Sequence, residues 1–165
     1  MDLFYPLMER ARHRKAVEAA GEPPGAWDVD GWRKARQALV VTFKRSGEAV
    51  PTVVNFGLSE DGRIYFRSEP HTAKIKRISN NPRVLVGPCG IRGKPRGPLA
   101  AGVARVLAAE DSEPAHKLVR GNWSPAMWPS EMAMDGLGVS VVYVEIESDA
   151  HSSPSPIAST PAPSR

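Results

Sequence analysis

Between Arg63 and Cys89 the chain reads RIYFRSEPHTAKIKRISNNPRVLVGPC, and its apolar positions change period twice. Ile64 and Phe66 alternate with Tyr65 and Arg67, the period-2 pattern of a half-buried strand. Ile75 and Ile78 then stand one turn apart, with Lys74, Lys76 and Arg77 directed elsewhere, which predicts a short helix. Pro70 suits the entry to that helix, because its missing N–H costs nothing in a first turn. Asn80-Asn81-Pro82 ends it: Asn tolerates a left-handed cap, and Pro cannot continue the spiral. Val84, Leu85 and Val86 open the next strand.

The same reading extends outward. Leu3, Phe4, Leu7 and Met8 precede Arg10, Arg12, Arg14 and Lys15, predicting a short amphipathic helix within residues 1–20 whose start is limited by Pro6. Its apolar face is expected to pack on the domain or on a partner subunit. GEPPG (21–25) is a connector, and Asp28 or Asp30 can cap a short helix anchored by Trp32. Leu39–Phe43 is a continuous apolar run, as in a strand covered on both faces. After a turn at 44–48, Ala49–Phe56 runs back, with Pro51 tolerable near a strand start or at an edge. Asp61-Gly62 closes the next hairpin.

Pro98–Ala109 reads as a strand whose Ala100, Gly102 and Ala104 share one face, small enough for a backbone or a flat ligand to approach. That face is read as a contact surface. A helix follows from Asp111 to Arg120, and Val139–Ile146 forms a last strand. Residues 122–134 crowd Trp123, Met127, Trp128, Met132 and Met134 into a Pro-broken segment. These are either core or interface plugs, or a wall over a flat hydrophobic substrate. From about Asp149 the chain is rich in Ser, Pro and Ala and is expected to be disordered.

The 165 residues suit one domain: a helical extension (1–30), a β-rich domain (31–148) and the tail (149–165). A net charge of +4 suggests an anionic ligand as readily as nucleic acid. Only Tyr65 and Phe66 accompany the cations as stacking residues, so a nucleic-acid platform is not expected. Cys89 is the single cysteine and reads as a small buried hydrophobe. No apolar run reaches the ~18 residues of a membrane span, and the first residues lack a secretory pattern. A soluble cytoplasmic protein with no membrane partner is expected. His13, His71, His116 and His151 are scattered and no Cys-x-x-Cys occurs, so no metal site is expected; no Gly-x-Ser-x-Gly elbow offers a catalytic nucleophile.

The candidate chemistry lies where the strand meets the helix. Arg67, Ser68, Thr72 and Lys74 bring two cations and two hydroxyls to a helix N-terminus, whose free N–H groups already favour an anion. The arrangement is either a phosphate clamp or a solvated basic helix. Asn55, between Val54 and Phe56, either faces solvent or bonds a ligand. The loop GIRGKPRG (90–97) is not a P-loop; it is either a solvated hairpin or a basic rim for a long anionic ligand.

Ile64-Tyr65-Phe66-Arg67-Ser68, Thr72-Ala73-Lys74-Ile75-Lys76-Arg77-Ile78 and Asn81-Pro82-Arg83-Val84 together resemble the pyridoxamine-phosphate-oxidase-like split β-barrel family. Within it the chain is most similar to the reductases that use the deazaflavin coenzyme F-420. The similarity covers roughly 32–107 and returns weakly at 139–146; residues 122–134 depart from the family pattern. The resemblance implies a mainly β fold, an antiparallel six- to seven-stranded split barrel with short helices, paired as a homodimer around its cofactor. It implies an oxidoreductase that delivers a hydride from reduced coenzyme F-420 to a small electron-poor organic acceptor. Lys74 would then bind phosphate with Arg67, Ser68 and Thr72, while Pro51 and Asn55 flank the ring system. No catalytic side chain is required, because the cofactor carries the hydride. FMN is the alternative cofactor, and a non-enzymatic cofactor-binding or sensing protein the alternative role.

Overall fold

The computed structural model describes residues 14–126 and 128–151, without the side chains of Met134 and His151. The expected helix over the first residues and the expected disorder of the tail therefore fall largely outside the described residues. Six strands carry the fold: β1 Gln37–Phe43, β2 Ala49–Leu58, β3 Ile64–Ser68, β4 Arg83–Cys89, β5 Ala100–Val106 and β6 Val142–Ser148. Among the described residues five α-helices accompany them: α1 Arg14–Ala20, α2 Val29–Trp32, α3 Ala73–Asn80, α4 Ser112–Gly121 and α5 Trp128–Gly136. The strands close into a barrel in the order β1-β2-β3-β6-β5-β4, and every neighbouring pair is antiparallel. The mainly β barrel with short helices expected from sequence is the fold observed.

Strand alternation sorts the side chains. Ala38, Val40, Val54, Phe56, Ile64, Phe66, Val84, Val86, Ala100, Ala104, Val144 and Ile146 fill the interior with Trp32. The small face of β5 thus points inward, correcting its reading as a contact surface. It makes room for tryptophan: a Cβ at Gly102 would stand 3.1 Å from the Trp27 ring, which meets Trp32 edge-to-face at 4.8 Å. Trp27 donates its indole N–H to the Gly62 carbonyl at 2.9 Å, so this polar atom enters the core satisfied.

The helices cover the outer face in two patches. Ala16, Ala19 and Ala20 of α1 pack on Leu39, Val41, Cys89 and Leu99. Burial pushes the Cys89 thiol up to about 12, consistent with a hydrophobe rather than a nucleophile. Ala115 and Val119 of α4 pack with Leu107, Trp123 and Tyr143 over β3 and β6. Asp28 caps α2 as expected, accepting from the Gly31 N–H at 2.9 Å. The α3 stop differs from expectation: Asn81 is extended (φ −143°) rather than left-handed. Pro82 is the cause, because the residue before a proline is driven into the extended region.

A polar cluster also sits on the outer face of β3, β5 and β6. Glu145 is 5% exposed, accepting from Tyr65 Oη at 2.8 Å and Arg105 Nη2 at 2.7 Å, with Arg63 Nη1 3.6 Å away. Burial by itself would raise the carboxyl pKa, but the bonds from Arg105 and Tyr65 and the charges of Arg105 and Arg63 outweigh it and lower it. Tyr65, pushed up to about 12 first by burial and then by its bond to Glu145, stays a neutral donor.

Two outcomes follow from this packing. A Cβ at Gly57 would stand 2.6 Å from the Val119 backbone N, and nearer still to the Leu118 carbonyl carbon. Gly57→Ala is therefore expected to lose about 1–3 kcal/mol in chemical denaturation, through displacement of α4. Because the Glu145 pKa is depressed on folding, its contribution is fully present above the unfolded value of about 4.3 and is lost as pH falls through the folded value. Glu145→Gln should lower stability at pH 7 by roughly 1.5–3 kcal/mol and flatten its acid-side decline, measured by urea titrations from pH 7 to 3.

Candidate functional site

The barrel wall is thin at one place. β2 and β3 pair only over Phe56↔Phe66, Gly57↔Tyr65 and Leu58↔Ile64. Beyond Phe56 the rest of β2, from Asn55 back to Ala49, pairs with β1 alone. Beyond Phe66, Arg67 and Ser68 pair with Tyr143 and Val142 of β6. The two strands therefore part at Asn55 and Arg67. Pro51, Val53 and Asn55 form the outer row of one lip; Ser68 and the start of α3 form the other.

On the second lip the expected residues come together. Thr72 is the N-cap of α3, accepting from the Ile75 N–H at 3.5 Å, and its Oγ1 lies 3.1 Å from Ser68 Oγ. Ser68 is 3% exposed, and both hydroxyls also reach the Glu69 carbonyl. Lys74, in the first turn of α3, holds its ammonium 5.3 Å from the centre of the Phe66 ring. Phe66 and Ser68 lie on the same face of β3, about 6.6 Å apart along the strand. Two hydroxyls thus meet at the N-terminus of α3, with the Lys74 ammonium held over the ring of Phe66, two residues before Ser68; hydroxyls, free N–H groups and an ammonium are donors of the kind that phosphoryl oxygens accept.

Arg67 takes another course and does not join Ser68, Thr72 and Lys74, contrary to its expected place in the clamp. Arg67 alternates with Ser68 along β3, so its side chain leaves by the outer face. There it pairs with Glu131, and with Asp135 at 2.8 Å, both on α5, and lies 5.0 Å from the centre of the Trp123 ring. Burial works against its charge, but the bond it donates to Asp135 and the charges of Glu131 and Asp135 prevail and raise its pKa. Beside it, Tyr143 Oη lies 2.6 Å from His116 Nδ1, and burial raises the Tyr143 pKa.

On the first lip, Pro51 is buried opposite Val41, and Asn55 Oδ1 accepts from Gln37 Nε2 at 3.4 Å. The basic loop folds over this row. Gly93, at φ 80°, packs so closely that a Cβ would stand 3.1 Å from Val53 Cγ2. Val53 lies between Pro51 and Asn55, and Arg92 and Lys94 are exposed on either side of Gly93.

Sequence reasoning missed α5 and with it the partners of Arg67. The available signal was Glu131 and Asp135 at i and i+4, a carboxylate pair on one helix face; the prolines at 125 and 129 had marked the segment as broken. Among the described residues no cluster could hold a metal ion, and no helix is long and apolar enough to cross a membrane.

No protein-family model matches the chain, and no curated protein does. Solved structures do. The conserved hypothetical protein Rv2991 from Mycobacterium tuberculosis superposes with a TM-score of 0.52 at 17% identity, over 73% of this chain and 77% of that one. The protein Atu2129 of unknown function from Agrobacterium tumefaciens gives 0.53 at 19% identity, over 84% of this chain but only 56% of its own. The heme storage protein HutZ from Vibrio cholerae gives 0.51 at 12%, over 70% of this chain and 83% of that one. These likenesses establish the fold, the barrel with short helices expected from sequence.

Proposed function

We propose that the chain is an oxidoreductase that grips the phosphate of a flavin-type carrier at the mouth formed by Ser68, Thr72 and Lys74. The observation that carries this reading is the pairing of the Ser68 and Thr72 hydroxyls at the N-terminus of α3, with Lys74 in the first turn of the same helix. When bound, such a carrier supplies a hydride to an organic acceptor, which then takes a proton from solvent. The protein's part is to bind, orient and shield. Lys74 and the α3 N–H groups balance the phosphate charge, while Ser68 and Thr72 turn from the Glu69 carbonyl to phosphate oxygens. Pro51 and Asn55, across the parted strands, bound the ring system. Arg67 enters the clamp only if Glu131 and Asp135 give it up.

Two carriers suit these residues. FMN ends at its phosphate and asks only for the clamp. Coenzyme F-420 extends beyond it into an acidic glutamyl tail, and what favours it is the packing of the Arg92/Lys94 loop against the Pro51–Asn55 row. The homodimer expected from the resemblance would complete the groove with a second copy. A cofactor-storing or sensing role remains the second reading, supported by the likeness to a heme storage protein; binding without turnover would establish it.

The test is a parallel titration of FMN, coenzyme F-420 and riboflavin into the purified chain and its Lys74→Ala variant. The variant should bind the phosphorylated carriers at least tenfold more weakly, as expected for a charge-assisted bond of about 1.5–3 kcal/mol, and leave riboflavin unaffected. A change below about threefold would remove Lys74 from the site.

A further inference from the structure

A cleft of about 330 Å³ lies between α2 and the connection from β4 to β5. It opens beside Pro88, which stands opposite Ala38 near the start of β1. α3 meets the other end of that strand, where Arg77 Nε donates to Thr42 Oγ1 at 2.7 Å. Four residues of strand, about 13 Å, separate Ala38 from Thr42, so the cleft belongs to the end of the barrel away from α3. Backbone bonds hold both of its walls. The Gly25 N–H donates to the Leu99 carbonyl at 2.8 Å, and the Arg96 N–H to the Pro88 carbonyl at 3.0 Å. Pro88 and Pro98 line it with no N–H to offer, which leaves its side chains as the strong donors.

The charges in the lining single this cleft out. Lys34 follows α2 and Arg96 lies in the connection; both are exposed, and neither forms an ion pair among the described residues. The neighbouring cations are engaged: Arg33 pairs with Asp30 at 3.4 Å, and Arg36 donates to the Asn122 carbonyl at 3.2 Å. Asp28 is the one carboxylate in the lining, and its Oδ1 is taken up at the α2 cap by the Gly31 N–H at 2.9 Å. Two positive charges thus stand against one negative, among proline, alanine, glycine and Trp32. A single added negative charge balances that excess, and a dianion overshoots it. We infer that this cleft binds a small organic monocarboxylate, its charge between Lys34 and Arg96 and its apolar body against Pro88 and Pro98. The guanidinium fork matches two coplanar carboxylate oxygens, and the Lys34 ammonium adds a second point charge. A space of this size takes one or two fused rings. Binding here needs neither a redox carrier nor the Ser68/Thr72/Lys74 site.

The probe is 2-naphthoate, titrated calorimetrically into the full chain at pH 7 without added cofactor, beside 2-naphthamide and 2-naphthyl phosphate. The naphthoate should bind about tenfold more tightly than the amide, the yield of two partly exposed charge pairs. The phosphate should bind no more tightly than the naphthoate. Lys34→Gln and Arg96→Gln, both at exposed positions, should each cut the preference for naphthoate about threefold while amide binding persists. Arg33→Gln removes the same charge from a residue outside the cleft and should leave the preference intact. Backbone amide shifts induced by naphthoate should cluster at 31–35 and 96–97. Absence of naphthoate binding, equal affinity for the amide, tighter binding of the phosphate, an equal loss in Arg33→Gln, or shifts confined to α3 overturns the inference. Lys74→Ala should leave naphthoate binding unchanged. Loss of carrier binding with naphthoate binding intact would then fault the clamp alone, and the reverse would fault the cleft alone.

Discussion

The site depends on how briefly β2 and β3 hold together. Three residue pairs close the cylinder on that side, against seven between β1 and β2. A wall closed along its full length would present no free strand edge, and the backbone groups of 49–55 would be paired on both sides. Here the cylinder stays intact because its interior is filled. Phe56, Phe66, Val144 and Ile146 meet beneath the short join, and Trp27 and Trp32 occupy the space left by the small face of β5. Packing therefore compensates for missing hydrogen bonds, and the strand that parts early can lead straight into the cap of α3.

How much of this the sequence disclosed follows from which signals are local. Ile64/Phe66, Ile75/Ile78 and Val84/Val86 each declare their element within a few residues, and all three elements form, although α3 begins at Ala73, so Pro70 precedes the helix instead of lying in its first turn. The pairing of Ser68 with Thr72 was also legible, because a strand end and a helix cap four residues apart have little freedom. The destination of Arg67 was not. Alternation placed it opposite Ser68, but what waits on that face comes from Glu131 and Asp135, more than sixty residues away. The inward turn of Ala100, Gly102 and Ala104 was hidden for the same reason. Period-2 smallness marks a face without saying which side it is on, and Trp27, its bulky counterpart, stands in a stretch with no period of its own.

The two faces of β3 thus carry two different chemistries one residue apart. Ser68 is buried against the α3 N-terminus, where its hydroxyl meets that of Thr72. Arg67 turns the other way, to the Trp123 ring and the carboxylates of Glu131 and Asp135.

The attachment of α5 sets it apart from the rest of the chain. Among the described side chains of α5, Trp128 and Met132 are exposed, Glu131 and Asp135 pair with Arg67, and the Trp128 ring meets the Arg120 guanidinium. Opposite charges held out of water feel dissolved salt far less than exposed ones, so an arginine as enclosed as Arg67, set against a carboxylate as enclosed as Glu131, keeps α5 in place across a wide range of ionic strength.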